Sequence, residues 1–216
     1  EKKPDANAFR LRERKSVDRG VGETIRWVNA TEQEQSMPSK YPIRRTFNES
    51  CQLLRELGFL DDDTVPVMPD RIPRYDDEEP LGVSFFRTFV GESDLENLTL
   101  PRTFFSRSSV GPLSFANTDF SESSLCWNDF MQVDFSDVDL SGSDLRASSY
   151  TEVRFVRTGL RDADLRQSSF EDCDFTDADM RGCKLTRDQG RALSLSATQR
   201  QEIDWQDDDG EEPPGG

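Results

Sequence analysis

From Phe85 to Leu185 every fifth residue is large and apolar. The series at 85, 90, 95 and onward reads Phe, Val, Leu, Leu, Phe, Val, Phe, Phe, Leu, Phe, Phe, Leu, Leu, Tyr, Phe, Leu, Leu, Phe, Phe, Met, Leu, and none of its 21 positions fails. A helix repeats its apolar face at about 3.6 residues and a strand at about 2. A period of five fits neither and predicts a solenoid of short stacked units. Two residues before each large one the occupant is mostly Ser, Thr, Ala, Val or Cys, small enough to point inward beside it. One residue before it Asp recurs, at 94, 119, 129, 134, 139, 144, 164, 174 and 179, and the remaining two places are mostly polar.

Units such as ADLRQ, SDLRA, TDFSE, VDFSD and ADMRG resemble the A(D/N)LXX motif of the pentapeptide-repeat family. The resemblance implies an all-β solenoid, a right-handed quadrilateral parallel β-helix with four units to a coil. In it the large residue and the small one two before it face the inside. At twenty residues per coil, Phe115, Phe135, Phe155 and Phe175 stack into one core column and Phe105, Leu125, Leu145, Leu165 and Leu185 into another. About five coils are expected, a rod of about 25 Å at a strand spacing of about 4.8 Å. The units before Phe115, which include Pro101 and Pro112, are less regular.

The flanks divide the rest of the chain. Residues 1–80 read as an N-terminal extension and linker of mixed, partly helical character, 81–189 as the β-helix, 190–207 as a short helical cap and 208–216 as a disordered acidic tail. FNESCQLLRELGFL predicts a helix from Asn48 to Leu57, capped by Asn48 or Ser50, striped by Leu53, Leu54 and Leu57, and stopped by Gly58. TIRWVNATEQ at 24–33 fits a short helix or a strand alike. Four prolines between 61 and 80 predict an extended linker, with Val65, Val67, Met68 and Ile72 laid on apolar surface. Gly190 stands where the next large residue would fall and ends the repeat. Ser196 caps a helix running to about Trp205, with Ile203 and Trp205 folding over the open coil, because an uncapped end exposes core and strand edges.

Only 33% of the 216 residues are apolar, low for a globular domain, while 15 Phe argue against simple disorder. A narrow core column reconciles the two. The net charge of -16, from 43 acidic and 27 basic residues, argues against nucleic-acid binding through a broad basic surface. Residues 1–60 carry +3 and the remainder -19, a bias toward a protein partner with a basic binding site. Cys51, Cys126, Cys173 and Cys183 show no CxxC spacing and the chain has no His, so no zinc site is expected and the thiols read as reduced, in a cytoplasmic protein. No apolar run reaches the roughly 18 residues of a membrane span and no signal-peptide pattern is present, so no membrane contact is expected; Glu1, not a Met, is compatible with a removed leader.

Candidate chemistry narrows the reading further. With no His base, nucleophile elbow, phosphate-binding glycine loop or metal-ligand cluster, the chain reads as non-enzymatic and without cofactors. Two surfaces are candidates. One is an acidic face of Asp134, Asp137, Asp139, Asp174, Asp177 and Asp179. Some members of the family bind DNA gyrase as acidic rods, so the resemblance implies a DNA mimic acting on gyrase or a related topoisomerase as the alternative function. Yet residues 81–185 carry only -8, which the motif aspartates more than supply. Stacking by twenty sets Arg154 between Asp134 and Asp174, and Arg157 between Asp137 and Asp177, so the structural reading of this face is preferred. The other surface is Trp127, flanked by Cys126 and Met131, with Arg107 one coil below and in reach of the indole. Burial of Trp127 under the N-terminal segment is an equal alternative, and Phe86, Phe89 and Phe104 are expected to be covered by the helix stripe or the linker. The favoured function is a scaffold that binds another protein in a protective, immunity-like or regulatory role. Leu193, Leu195, Ile203 and Trp205 leave homodimerisation through the cap open.

Overall fold

A computed structural model describes residues 41–61, 63, 66–77 and 82–207. The stretch at 24–33, Val65 and the tail at 208–216 lie outside the described residues. Parallel pairing steps Ser84 onto Phe104 and then onto Ser124, Asp144, Asp164, Lys184 and Asp204, twenty residues at a time. Seven rungs on this face make about six turns, not five, and a rod of about 29 Å. The added turn is the cap, which keeps the register after the five-residue rule has ended.

Each coil has four corners. Every fifth residue from 82 to 182 has a positive φ except Pro112, whose ring holds φ negative; there Gly111 takes φ +108° instead. Left-handed backbone costs an L-residue about 1–2 kcal/mol, less for Asn and Asp. Gly82, Asn97, Asn117, Asp137, Gly142, Asp162, Asp172, Asp177 and Gly182 suit these corners, but Arg107 and Trp127 occupy them too.

The motif aspartates stabilise the turns. In eight of the nine, one carboxylate oxygen accepts the backbone N–H two residues on, as Asp134 does from Ser136 at 2.8 Å. Asp129 is the exception; it lies in the strand Asp129–Met131 and accepts from the Ser149 hydroxyl. The small residues satisfy the interior. Thr118, Ser143, Ser148 and Thr158 each donate to the carbonyl of a large residue one coil below. Many also accept an N–H from that coil, so most of these buried hydroxyls are paired. Asn128 does the same work with an amide: Oδ1 accepts from Ser108 N at 3.0 Å and Nδ2 donates to Phe105 O at 2.7 Å.

Phe115, Phe135, Phe155 and Phe175 form the expected column, with ring centroids 5.5, 5.5 and 4.7 Å apart and planes within 19° of parallel. A second stack, Phe130, Tyr150 and Phe170, meets it edge-on.

Both ends are closed. Helix α1, Phe47–Glu56, starts one residue before the expected Asn48 because Thr46 and Glu49 make a reciprocal capping box. Its C-cap is Leu57, and Gly58 follows with φ +78°. Its buried face is Ser50, Cys51 and Leu54; Leu53 is half-buried and Leu57 exposed, so the inward stripe lies about one turn N-terminal of the expected trio and shares only Leu54 with it. In the linker the prolines face inward and the aliphatic residues outward: Pro66, Pro69 and Pro73 are buried, while Val67, Met68 and Ile72 are exposed. Proline has no N–H to leave unpaired when buried.

At the other end, helices α2 (Arg187–Ala192) and α3 (Ala197–Glu202) replace two sides of a coil, and the strand Asp204–Gln206 returns to pair with Lys184–Thr186. Trp205 is therefore in a strand, not at the end of a helix. Gln189 and Gln199 close capping boxes with Thr186 and Ser196. Their Nε2 groups also donate downward, Gln189 to Leu165 O and Ser168 O, Gln199 to Phe175 O and Ala178 O. These amides replace backbone donors that a further repeat coil would have supplied.

Candidate protein-binding surface

Two corner residues twenty apart, Arg107 and Trp127, stack on the outside of the second and third coils. The Arg107 guanidinium lies 5.8 Å from the Trp127 ring and 5.7 Å from the Tyr75 ring of the linker. Arg107 Nε and Trp127 Nε1 are enclosed without a hydrogen-bond partner, and among the described residues no carboxylate pairs with Arg107. Phe86 borders this stack, 5.9 Å from Tyr75 and 6.2 Å from Phe104, with Arg87 over its ring at 5.1 Å. Trp127 is thus half-buried, approached through Arg107 by the linker, and not a freely projecting ring.

Exposed apolar side chains continue past it. Phe89 is 62% and Met131 58% exposed, and Phe86 39%. Phe104 is half-buried against Phe86, but Phe86 itself and Phe89 are exposed, so the expected cover is incomplete; the linker meets this group through Tyr75 at the Phe86 ring. Cys126, placed beside Trp127 by sequence, turns inward and its thiol meets Asp144 O at 3.6 Å. Burial pushes the Cys126 thiol well above the usual range, and Cys51, Cys173 and Cys183 rise for the same reason. All four cysteines are free.

The acidic candidates have been given other work. Asp134, Asp139, Asp174 and Asp179 each accept the N–H two residues on, and Asp137 and Asp177 are left-handed corners. Arg157 bonds Asp137 at 2.7 Å and Arg154 reaches Asp134 at 3.3 Å. Each arginine therefore binds the coil below it rather than bridging two carboxylates at contact distance. Arg161 and Arg181 both engage Asp179, whose carboxyl is held below the usual range chiefly by Arg181. Asp174 is likewise held low, by the Thr176 hydroxyl and N–H. Leu193 and Ile203 are buried within the cap, and Leu195 and Trp205 are half-buried there. Among the described residues no helix is long and apolar enough to cross a membrane, and no cluster of three or more acidic or cysteine side chains is arranged to hold a metal.

Sequence reasoning found Arg107 and Trp127 but missed Tyr75 and Arg87. Tyr75 has no periodic relation to the corner it reaches, whereas the corner positions themselves carry a readable signal, the recurrence of Gly, Asn and Asp two residues after each large one.

Parallel twenty-residue register and four left-handed corners per turn define the class, a quadrilateral β-solenoid. The family model for pentapeptide repeats matches in eight copies, over residues 114–146 and 151–187. The units that build this solenoid over residues 114–187 are therefore pentapeptide repeats. No curated protein matches the sequence. Among solved structures it is similar to the pentapeptide repeat protein Rfr23 from the cyanobacterium Cyanothece 51142, at 17% identity over 45% of this chain and 80% of that one, with a TM-score of 0.43. A pentapeptide repeat protein from the Arabidopsis thaliana thylakoid lumen matches at 19% identity over 52% and 72%, with a TM-score of 0.38. Trypsin-treated QnrB1, a plasmid-mediated fluoroquinolone resistance protein, matches at 17% identity over 48% and 56%, with a TM-score of 0.22.

Proposed function

We propose that the protein is a non-enzymatic scaffold of the cytoplasm that binds another protein through the aromatic and arginine surface of its first three coils. The observation that carries this reading is Arg107, over both the Tyr75 and the Trp127 rings with no carboxylate of the described chain paired to it. Exposed Phe86 and Phe89 lie beside it on a rod whose other outward positions are mostly polar. Aromatic residues and arginine are the side chains that dominate protein–protein hot spots, and stacking fixes the guanidinium before a partner arrives. A protective, immunity-like or regulatory role suits such a rigid binding module.

The test is quantitative co-purification from the source cells with the wild type and with Phe89→Ser, Trp127→Ala and a control at the diagonally opposite corner, Asp177→Asn. A specific set of proteins should be retained by the wild type and the control and lost from the first two variants at unchanged melting temperature. Equal recovery by all four proteins would reject the surface.

A further inference from the structure

We propose that Tyr41–Arg45 is an intramolecular strap seated on an axial track for extended basic protein segments, and that a basic partner segment displaces it. The track is the corner column Asn97, Asn117, Asp137, where stacked left-handed residues set side chains and carbonyls one above another. The strap crosses the coils along this column instead of joining a sheet. Arg45 N donates to Asn97 O at 2.8 Å, and Thr99 Oγ1 donates to Arg45 O. One coil on, Arg44 Nε donates to Asn117 O at 2.8 Å and Asn117 Nδ2 donates to Pro42 O at 3.2 Å. One coil further, the Tyr41 phenol hydrogen-bonds the Asp137 carboxylate.

Five residues thus descend three coils, each coil contributing a donor or acceptor. The strap is hinged where it enters α1 at Thr46 and latched at Tyr41. Its one aliphatic side chain, Ile43, is 97% exposed, so polar contacts hold it and no apolar anchor does. Such contacts exchange readily for equivalent ones from another chain. Beside the track is a cavity of about 340 Å³ lined by Arg44, Asp137, Asp139, Arg157, Arg161 and Asp179. Gly159 opens it by standing where Asp139 and Asp179 stand in the neighbouring coils. The seated segment, YPIRR, displays the chemistry that the track accepts: extended backbone with an arginine directed at a corner carbonyl. This surface is separate from the one around Trp127, so either assignment can fail without the other.

The probe is the strap itself in trans, a labelled, end-blocked Tyr-Pro-Ile-Arg-Arg peptide, with Tyr-Pro-Ile-Glu-Glu as its control. Full-length protein is compared with Tyr41→Glu, which sets a carboxylate against Asp137, and with Arg44→Glu, which breaks the bond to Asn117. In both variants hydrogen exchange over residues 41–45 should quicken and affinity for the basic peptide should rise ten-fold or more, with the acidic peptide unbound. In the wild type, saturating basic peptide should itself quicken exchange over 41–45. A variant whose strap exchanges faster but whose affinity does not rise would overturn the proposal. So would peptide binding that leaves exchange over 41–45 unchanged, or binding of the acidic control with equal affinity.

Discussion

The indole of Trp205 occupies the place that a side chain at Gly190 would take. A Cβ added at Gly190 would lie 2.3 Å from two carbons of the Trp205 ring, far inside contact distance. The position that ends the five-residue rule is therefore filled from elsewhere in the chain. Trp205 is secured by its Nε1, which donates to Arg200 O at 2.9 Å.

Gly190→Ala should consequently destabilise the protein, although alanine gains about 1 kcal/mol over glycine inside a helix. Overpacking against the indole, which costs about 1–3 kcal/mol, is expected to exceed that gain and leave a net loss of up to about 2 kcal/mol. Urea unfolding should show the loss, and Trp205→Leu in the same chain should recover part of it. A more stable Gly190→Ala protein would mean that the cap packs differently.

Asn128→Ala should cost about 2–4 kcal/mol, since it strands the buried Ser108 N–H and the Phe105 carbonyl. Asn128→Ser should recover most of this, because Ser148 in the next coil already makes the equivalent pair of bonds. Thermal and urea unfolding of the two variants measure the difference. Equal losses for Ala and Ser would show that volume, and not hydrogen bonding, governs the site.

At the corner of the fourth coil Ala147 has φ +52°. Ala147→Gly relieves left-handed strain, against a loss of about 0.4–1 kcal/mol from greater unfolded-state freedom, and should leave stability unchanged or up to about 1 kcal/mol higher. Ala147→Val adds a β-branch to the same backbone and should lower it by more than about 1 kcal/mol. Differential scanning calorimetry on the three proteins checks the order Gly, Ala, Val.

The turn aspartates predict acid sensitivity. Asp174 and Asp179 have folded-state pKa values below the ordinary carboxylate range, through Thr176 and Arg181 respectively. Between the folded value and the unfolded value near 3.9, the unfolded chain binds more protons, so stability rises with pH across that window and falls as pH drops through it. This contribution should be fully present above about pH 5 and decline below it. Asp174→Asn keeps an oxygen acceptor for Thr176 N without a titrating proton, and should make the slope of stability against pH shallower. A slope identical to that of the wild type between about pH 2 and 4 would remove Asp174 from this account.

The core and its register were legible in the sequence because they repeat. A large residue every five positions can be buried by one periodic winding, and a twenty-residue coil then sets Phe135 on Phe115 and Phe155 on Phe135 without further information. The turn role of the motif aspartates was less visible, since composition alone makes them look like surface charge; their bond to the N–H two residues on appears only once the corner is built. What tertiary structure alone decided are the contacts between the repeat and the rest: Tyr75 over Arg107, the strap at 41–45 on Asn97, Asn117 and Asp137, and Trp205 over Gly190. None of these pairs is related by a period. Each depends on the direction in which a non-repeating segment leaves its last anchored residue, and that direction is set by distant packing and not by local residue pattern.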